Sequence, residues 1–266
     1  MIIALLHPGA MGCAVGQSLR EAGHAVRWCA QGRSAASLAR ANAAGLRAYT
    51  DLESCLAGAE AVVSVVPPEV AEAVAQTVAA RGFQGAYLDL NAISPATAAR
   101  VAALFPERCY GDGGIVGLPP QGPAGATLLL TAPAASLLPD WGPRFSLQCL
   151  PADANPFAAS ALKCAFAAWS KGSSALLLSV EALARELGLL SALHTLWDER
   201  SPGLRARARA TGEAVAPKAW RFAGEMEEIA QTFRAAGLPS GAFEAAAALY
   251  RDRAAARKAW EEGDRP

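Results

Sequence analysis

Residues Ile2 to Leu6 form an apolar run that breaks at His7 and Pro8. Gly9 and Gly12 follow, and then a helix-compatible stretch from Cys13 to Ala22. Strand, glycine turn and helix N-terminus come in this order, and a second strand candidate, His24 to Cys29, follows at βαβ spacing. The order is also the one a dinucleotide pyrophosphate needs, because N–H groups at the helix start face the anion and a turn side chain would block its approach. The full fingerprint is G-x-G-x-x-G. Here His7 stands at the first position, so Gly9 and Gly12 remain, with Pro8, Ala10 and Met11 completing the turn. Two readings stand for the turn, a cofactor cradle or a glycine bend that binds nothing. His7 is correspondingly either a ligand contact or a tolerated turn residue.

Through residue 150 short apolar runs alternate with helical patterns. Strands are expected at Ile2–Leu6, Ala25–Cys29, Ala61–Val66, Ala86–Leu90, Cys109–Gly111, Thr127–Thr131 and Phe145–Cys149. Helices are expected at Gly12–Ala22, Ser34–Ala44, Asp51–Ala57, Pro68–Ala80 and Pro95–Leu104. Such alternation predicts a mostly parallel sheet covered on both faces. From Asn155 the pattern becomes wholly helical. One long helix fits Phe157–Leu187, with Gly172 its weak point, and further helices fit Ser191–Glu199, Ala206–Thr211, Pro217–Ala236 and Ser240–Ala259. The expected fold class is α/β: a Rossmann dinucleotide-binding domain over residues 1–151 and an all-α domain over 152–266. The polar end, Glu261–Pro266, reads as frayed.

A composition that is 53% hydrophobic supports a sizeable core. The 24 basic and 24 acidic residues cancel, which gives no electrostatic case for nucleic acid or an anionic membrane. No apolar run reaches a membrane span of roughly 20 residues. Met1 leads straight into the first strand, so a cytoplasmic protein without a signal peptide is expected. Cys13, Cys29, Cys55, Cys109, Cys149 and Cys164 show no C-x-x-C spacing and do not cluster with His7, His24 or His194. A metal site is therefore not expected, and the cysteines read as reduced thiols.

The end of the second strand bears on cofactor choice. A carboxylate there would bond the ribose hydroxyls of NAD. The sequence instead reads Cys29-Ala-Gln31-Gly-Arg33-Ser34. The planar guanidinium of Arg33 matches phosphate geometry, and Ser34 supplies a hydroxyl and a helix cap. NADP is favoured over NAD, which remains possible; an ordinary loop arginine beside an N-cap serine is the plain alternative. Val65, Val66 and Pro67 end another strand where ligands collect, either as an apolar wall for the cofactor or as a bare strand end.

Asn91, in Asp89-Leu-Asn91-Ala-Ile-Ser94-Pro95, offers both donor and acceptor at the next strand end, with Ser94 a cap for the helix at Pro95. Gly113, Gly114, Val116 and Gly117 follow in Gly111-Asp-Gly-Gly-Ile-Val-Gly117. This segment reads as a loop, either presenting N–H groups to an anionic substrate or merely turning. Lys163 is the candidate acid/base. A lysine among apolar neighbours favours its neutral form, which suits proton transfer; snorkelling to water or pairing with a carboxylate is the alternative. Ser170 shares its helical face.

These residues together resemble the beta-hydroxyacid dehydrogenases, the group that includes 6-phosphogluconate and 3-hydroxyisobutyrate dehydrogenases. His7-Pro-Gly-Ala-Met-Gly12 is similar to the family's G-L-G-x-M-G, and Asp89-Leu-Asn-Ala-Ile-Ser-Pro95 to its D-x-S-T-x-x-P. The segment from Asp112 resembles its substrate loop, and Lys163 falls where its catalytic lysine falls. Lys163–Leu176 and Ala219–Ala230 resemble a narrower branch, with a phosphogluconate-dehydrogenase-like C-terminal domain found in poorly characterised bacterial and archaeal proteins. The chain departs from the pattern where Phe166 and Ala167 occupy the place of an asparagine one turn after the lysine, Val116 that of a loop serine, and Asn91 that of a strand-end serine. Trp169, Trp220 and Arg221 are candidates for replacement contacts.

The resemblance implies hydride transfer between NADP(H) and a small hydroxy acid or related carbonyl compound. Lys163 would be the acid/base, Asn91 would orient the substrate oxygen, and Gly113, Gly114, Val116, Gly117 and Ser170 would face the substrate. It also implies a homodimer formed through the helical domain. Two alternatives stand beside it: imine-reductase-like C=N reduction, and an NADPH-binding protein without catalysis.

Overall fold

The computed structural model describes residues 1–151 and 155–263, with side chains as far as residue 256. The chain divides into two units, Met1–Lys163 and Cys164–Pro266. The division falls inside the long helix, whereas the sequence pattern changes near Pro151; residues 152–154 lie outside the described part.

The first unit is built on an eight-stranded sheet ordered β3-β2-β1-β4-β5-β6-β7-β8. Its strands are β1 (Ile2–Leu6), β2 (Ala25–Cys29), β3 (Arg47–Tyr49), β4 (Ala61–Ser64), β5 (Ala86–Asp89), β6 (Tyr110–Val116), β7 (Ala126–Leu130) and β8 (Phe145–Cys149). Neighbours from β3 through β6 are parallel, β7 runs antiparallel to β6, and β8 is parallel to β7. The strand order reverses between β1 and β4, which places the topological switch point at the carboxyl ends of those strands.

Alternate residues of each central strand feed opposite layers, as a parallel sheet buried on both faces requires. Ile3, Leu5, Val63 and Leu88 pack with α1 (Ala10–Glu21), α2 (Ala35–Ala43) and α6 (Ala132–Leu137). Ala4, Leu6, Val62 and Tyr87 pack with α3 (Leu52–Leu56), α4 (Pro68–Ala79) and α5 (Pro95–Ala102). Each such leucine contributes about 1.5–3 kcal/mol by leaving water. Polar caps start three of these helices. Ser34 accepts from Ser37 N at 3.3 Å, Asp51 from Ser54 N at 2.7 Å, and Ser94 from Thr97 N at 3.2 Å. Pro95 follows Ser94 in the first turn, where its missing N–H costs nothing.

Two elements escape the sequence pattern. Strand β3 is a three-residue edge strand with two exposed side chains, held partly by Arg27 and Arg47 over the Tyr49 ring. Helix α6 occupies Ala132–Leu137, where only a loop is expected.

Helix α7 (Ala158–Glu186) starts in the first unit and continues into the second. It runs unbroken through Gly172, which lies beside Phe243 of a later helix, where a Cβ would lie 3.4 Å from the ring. The second unit adds α8 (Leu190–Arg200), α9 (Leu204–Val215), α10 (Ala219–Ala235) and α11 (Gly241–Gly263). Its core is rich in small residues, including Ala167, Ala175, Ala219, Ala223 and Ala247 around Leu178, Met226, Ile229 and Tyr250. Small side chains let the helix backbones approach closely, and the Tyr250 hydroxyl donates to the Lys171 carbonyl at 2.7 Å. The end expected to fray from Glu261 is helical as far as Gly263; the last three residues lie outside the described part. Among the described residues no helix is long and apolar enough to cross a membrane.

Candidate active site

The turn between β1 and α1 is shaped by close approach. A Cβ on Gly12 would lie 2.1 Å from the His7 carbonyl oxygen, so no side chain fits there. At Gly9 a Cβ would meet nothing within 4 Å. Gly9 also has an ordinary φ of −66° as the N-cap of α1. The fold therefore does not need glycine at residue 9, whereas an anion approaching the helix start would. Gly9 N donates to His7 O and Cys13 N to Gly9 O, both at 2.8 Å. The N–H groups of Ala10, Met11 and Gly12 precede the helix's own hydrogen-bond ladder and point along its axis. Pro8 is buried, and its carbonyl accepts from the Cys13 thiol at 3.4 Å.

His7 and Arg33 meet above this turn, with His7 Nε2 and Arg33 Nη2 2.7 Å apart. Burial, and secondarily the Arg33 charge, lower the His7 pKa to about 4. The imidazole is thus neutral at physiological pH. A guanidinium can only donate, so Nε2 accepts and Nδ1 carries the proton. The Nδ1 atom is itself buried without a hydrogen-bond partner. The segment Cys29–Ser34 after β2 contains no carboxylate, and Ser34 spends its hydroxyl on capping α2.

Asn91 is buried behind the ends of β4 and β5. Its Oδ1 accepts from Val66 N at 2.6 Å, its Nδ2 donates to Ser64 Oγ at 3.0 Å, and its own N–H donates to Asp89 Oδ1 at 2.9 Å. The side chain thereby fixes the β4–α4 turn through Val66. Val66 itself packs in the core rather than presenting an open wall, while Pro67 is the N-cap of α4 and half-buried.

The segment read as a glycine loop is a strand. Gly113, Gly114 and Val116 lie in β6, registered against Leu130, Leu129 and Thr127 of β7. The glycines serve packing. A Cβ on Gly113 would meet the Leu90 side chain at 2.5 Å, and one on Gly114 would meet the Lys163 Cβ at 3.1 Å. Only Gly117, with φ of +120°, needs glycine for its backbone, and it leaves the strand.

Asp112, unremarked in the sequence pattern, organises the same region. It is 1% exposed on β6, and its side chain meets the first turn of α7. Its Oδ2 accepts from Ala159 N at 2.9 Å and Ser160 N at 3.1 Å, and its Oδ1 from Ser160 Oγ at 2.5 Å. Burial raises its pKa from 3.8 to about 6, and these three hydrogen bonds oppose the rise. A carboxylate at a helix N-terminus also complements the helix dipole. Lys163 stands one turn further along, against Gly114, with its ammonium donating to the Ile115 carbonyl. The structure thus gathers Asp112, Ser160, Lys163 and Ile115 where β6 meets α7. A lone aspartate amid glycines in an otherwise buried stretch is the signal that could have marked Asp112.

In the second unit the Ser170 hydroxyl donates to the Ala167 carbonyl at 3.5 Å, and the Ser170 carbonyl accepts from the Ser174 hydroxyl at 2.8 Å. Trp169 and Trp220 are exposed. Arg221 lies 3.3 Å from Glu225, a buried carboxylate that is also paired with Lys171.

Comparison with known proteins agrees with this architecture. Residues 184–252 match a domain family described as a domain of unknown function, DUF1932. No curated protein sequence matches the chain significantly. Among solved structures, the conserved protein MTH1747, of unknown function and structurally similar to 3-hydroxyacid dehydrogenases, is 23% identical. It aligns over 96% of this chain and 99% of its own, with a TM-score of 0.62. The 3-hydroxyisobutyrate dehydrogenase of Mycobacterium tuberculosis, solved with L-serine, is 20% identical over 96% of this chain and 94% of its own, at a TM-score of 0.64. A reductive aminase from Aspergillus terreus, in complex with NADPH and ethyl levulinate, is 22% identical over 98% and 94%, at 0.54. The chain has the fold of the 3-hydroxyacid dehydrogenase-like proteins, as its motifs suggest.

Proposed function

We propose that the protein is a cytoplasmic NADP(H)-dependent oxidoreductase that interconverts a small hydroxy acid and its carbonyl compound. The observation that carries this reading is the β1–α1 turn, where Gly9 leaves open space beside the unbonded first-turn N–H groups of α1 and Arg33 stands at the same edge. These residues fit a dinucleotide. Ala10, Met11 and Gly12 N–H groups would receive the pyrophosphate, and Arg33 would receive a 2′-phosphate. NAD is disfavoured by the absence of a carboxylate after β2.

The bound cofactor would supply or accept the hydride. Lys163 would hold the proton, giving it to the carbonyl oxygen in reduction and removing it from the hydroxyl in oxidation. Asp112 and Ser160 position Lys163 by anchoring the start of α7, and the Ile115 carbonyl orients its ammonium. Asn91 holds the Val66 turn, and one N–H of its amide is left to meet a substrate oxygen. Gly113, Gly114, Val116, Gly117 and Ser170 remain candidates for the substrate's surroundings.

Reduction of a C=N bond is the second reading. Val116 and an exposed Phe166 replace polar side chains of the hydroxy-acid pattern, which leaves less to grip a carboxylate and suits an imine. Trp169, Leu176 and Leu183 are exposed and seven residues apart on α7, a spacing that suits a helix–helix seam between two copies. A homodimer follows from this reading, and elution as a monomer at every concentration would remove it.

The test is turnover, followed by NADPH absorbance, over hydroxy acids, their oxo acids, cyclic imines, and ketone–amine pairs. Oxidation of a hydroxy acid, lowered about 10²–10⁴-fold in Lys163→Ala with NADPH binding retained, is expected. Turnover of imines alone selects the second reading. NADPH binding without turnover of any class would overturn both in favour of a binding protein.

A further inference from the structure

We propose that His7 is a specificity-determining residue: it holds the Arg33 guanidinium over the β1–α1 turn and thereby sets the preference for a 2′-phosphorylated dinucleotide. The inference rests on the NADP reading and adds to it a residue whose position in the fingerprint is ordinarily glycine.

A glycine at residue 7 would offer no side chain to the loop after β2. The imidazole does offer one, and its Nε2 lies 2.7 Å from Arg33 Nη2. The two residues leave the carboxyl ends of adjacent parallel strands, β1 and β2, the edge at which a doubly wound sheet receives the adenosine half of a dinucleotide. Arg33 is otherwise an exposed side chain on a loop. Free in solution it would sample many rotamers, and ordering it would weaken phosphate binding. Tied to His7 it is ordered before the ligand arrives, and only one of its five N–H donors is committed. His7 is built to accept, since its neutral ring is partly buried and its depressed basicity keeps Nε2 unprotonated at neutral pH. The positive charge needed by the phosphate stays wholly on Arg33.

The test is the ratio of NADH to NADPH dissociation constants, read by ligand fluorescence with no turnover required. For the wild type a ratio well above one is expected. Arg33→Ala should bring the ratio near one. His7→Gly should lower it by about tenfold, as expected when one charge-assisted hydrogen bond is removed. His7→Gln, whose amide oxygen can still accept, should keep most of it. In the double variant the ratio should fall no further than in Arg33→Ala alone, because the two residues act as one unit. Equal weakening of NADH and NADPH in His7→Gly, with the ratio unchanged, would overturn the inference and leave the NADP reading intact. A wild type that binds neither nucleotide, or both alike, would overturn the NADP reading and the inference with it.

Discussion

Asp112 on β6 accepts the Ser160 hydroxyl of α7 at 2.5 Å, and the same carboxylate takes the Ala159 and Ser160 backbone N–H groups. This contact ties the first turn of a 29-residue helix to the sheet and sets Lys163 against Gly114 and the Ile115 carbonyl. A buried, charged anchor makes the joint pH-sensitive. The Asp112 pKa rises on folding from 3.8 to about 6, so the folded protein binds this proton more tightly than the unfolded chain. The stability this group contributes is therefore complete below its unfolded pKa and is lost as pH rises through about 6. Its size is about 3 kcal/mol at roughly 1.4 kcal/mol per unit. Relative to Asp112→Asn, the wild type should gain about 1 kcal/mol between neutral pH and about pH 5. Urea unfolding at both pH values measures this, and a constant difference would contradict it.

Gly9 and Gly12 should separate fold from ligand. Gly12→Ala forces a Cβ onto the His7 carbonyl, so it should lose both stability and nucleotide binding. Gly9→Ala meets open space at an ordinary backbone angle. Its melting temperature should hold while NADPH binding weakens at least about tenfold, because the methyl would stand in the proposed path of the pyrophosphate. Calorimetry and fluorescence titration on the same samples check both.

Asn91→Ala should cost about 1–3 kcal/mol, since it leaves the buried Val66 N–H and Ser64 hydroxyl without their partner. Denaturant unfolding reads the loss. Asn91→Asp should recover part of it, because a carboxylate can accept the Val66 N–H.

In the helical unit, Lys171 and Arg221 both pair with Glu225, but burial separates them. Lys171 and Glu225 are 15% and 7% exposed, whereas Arg221 is 43% exposed. Lys171→Met leaves a buried carboxylate with the half-exposed Arg221 in place of its buried partner and should destabilise by about 2–4 kcal/mol. Arg221→Met removes a half-solvated pair and should change stability by less than about 1 kcal/mol. Equal effects in denaturant unfolding would contradict this assignment.

Much of the fold was legible because the central strands carry runs of Val, Leu and Ile at regular spacing, and because Ser34, Asp51 and Ser94 announce their helices. Strand β3 was not, since Arg47-Ala-Tyr49 is too short and too exposed to show a pattern. The Gly111–Gly114 stretch misled because glycine reads locally as a turn. Here its cause is tertiary: Leu88, Leu90, Ala134 and Lys163 crowd the positions a Cβ would take. The sequence singles out His7, Arg33, Asn91 and Lys163 as candidate site residues, but not their connections. That His7 meets Arg33, or that Asp112 anchors the helix bearing Lys163, depends on contacts between distant segments, which no local spacing encodes.

The most direct test of the account is titration of the purified protein with NADPH, following the enhancement of ligand fluorescence. The account predicts saturable binding that is markedly tighter than that of NADH and is weakened selectively by Arg33→Ala. Failure to bind either nucleotide would contradict it, because the β1–α1 turn would then be a glycine bend with nothing to hold.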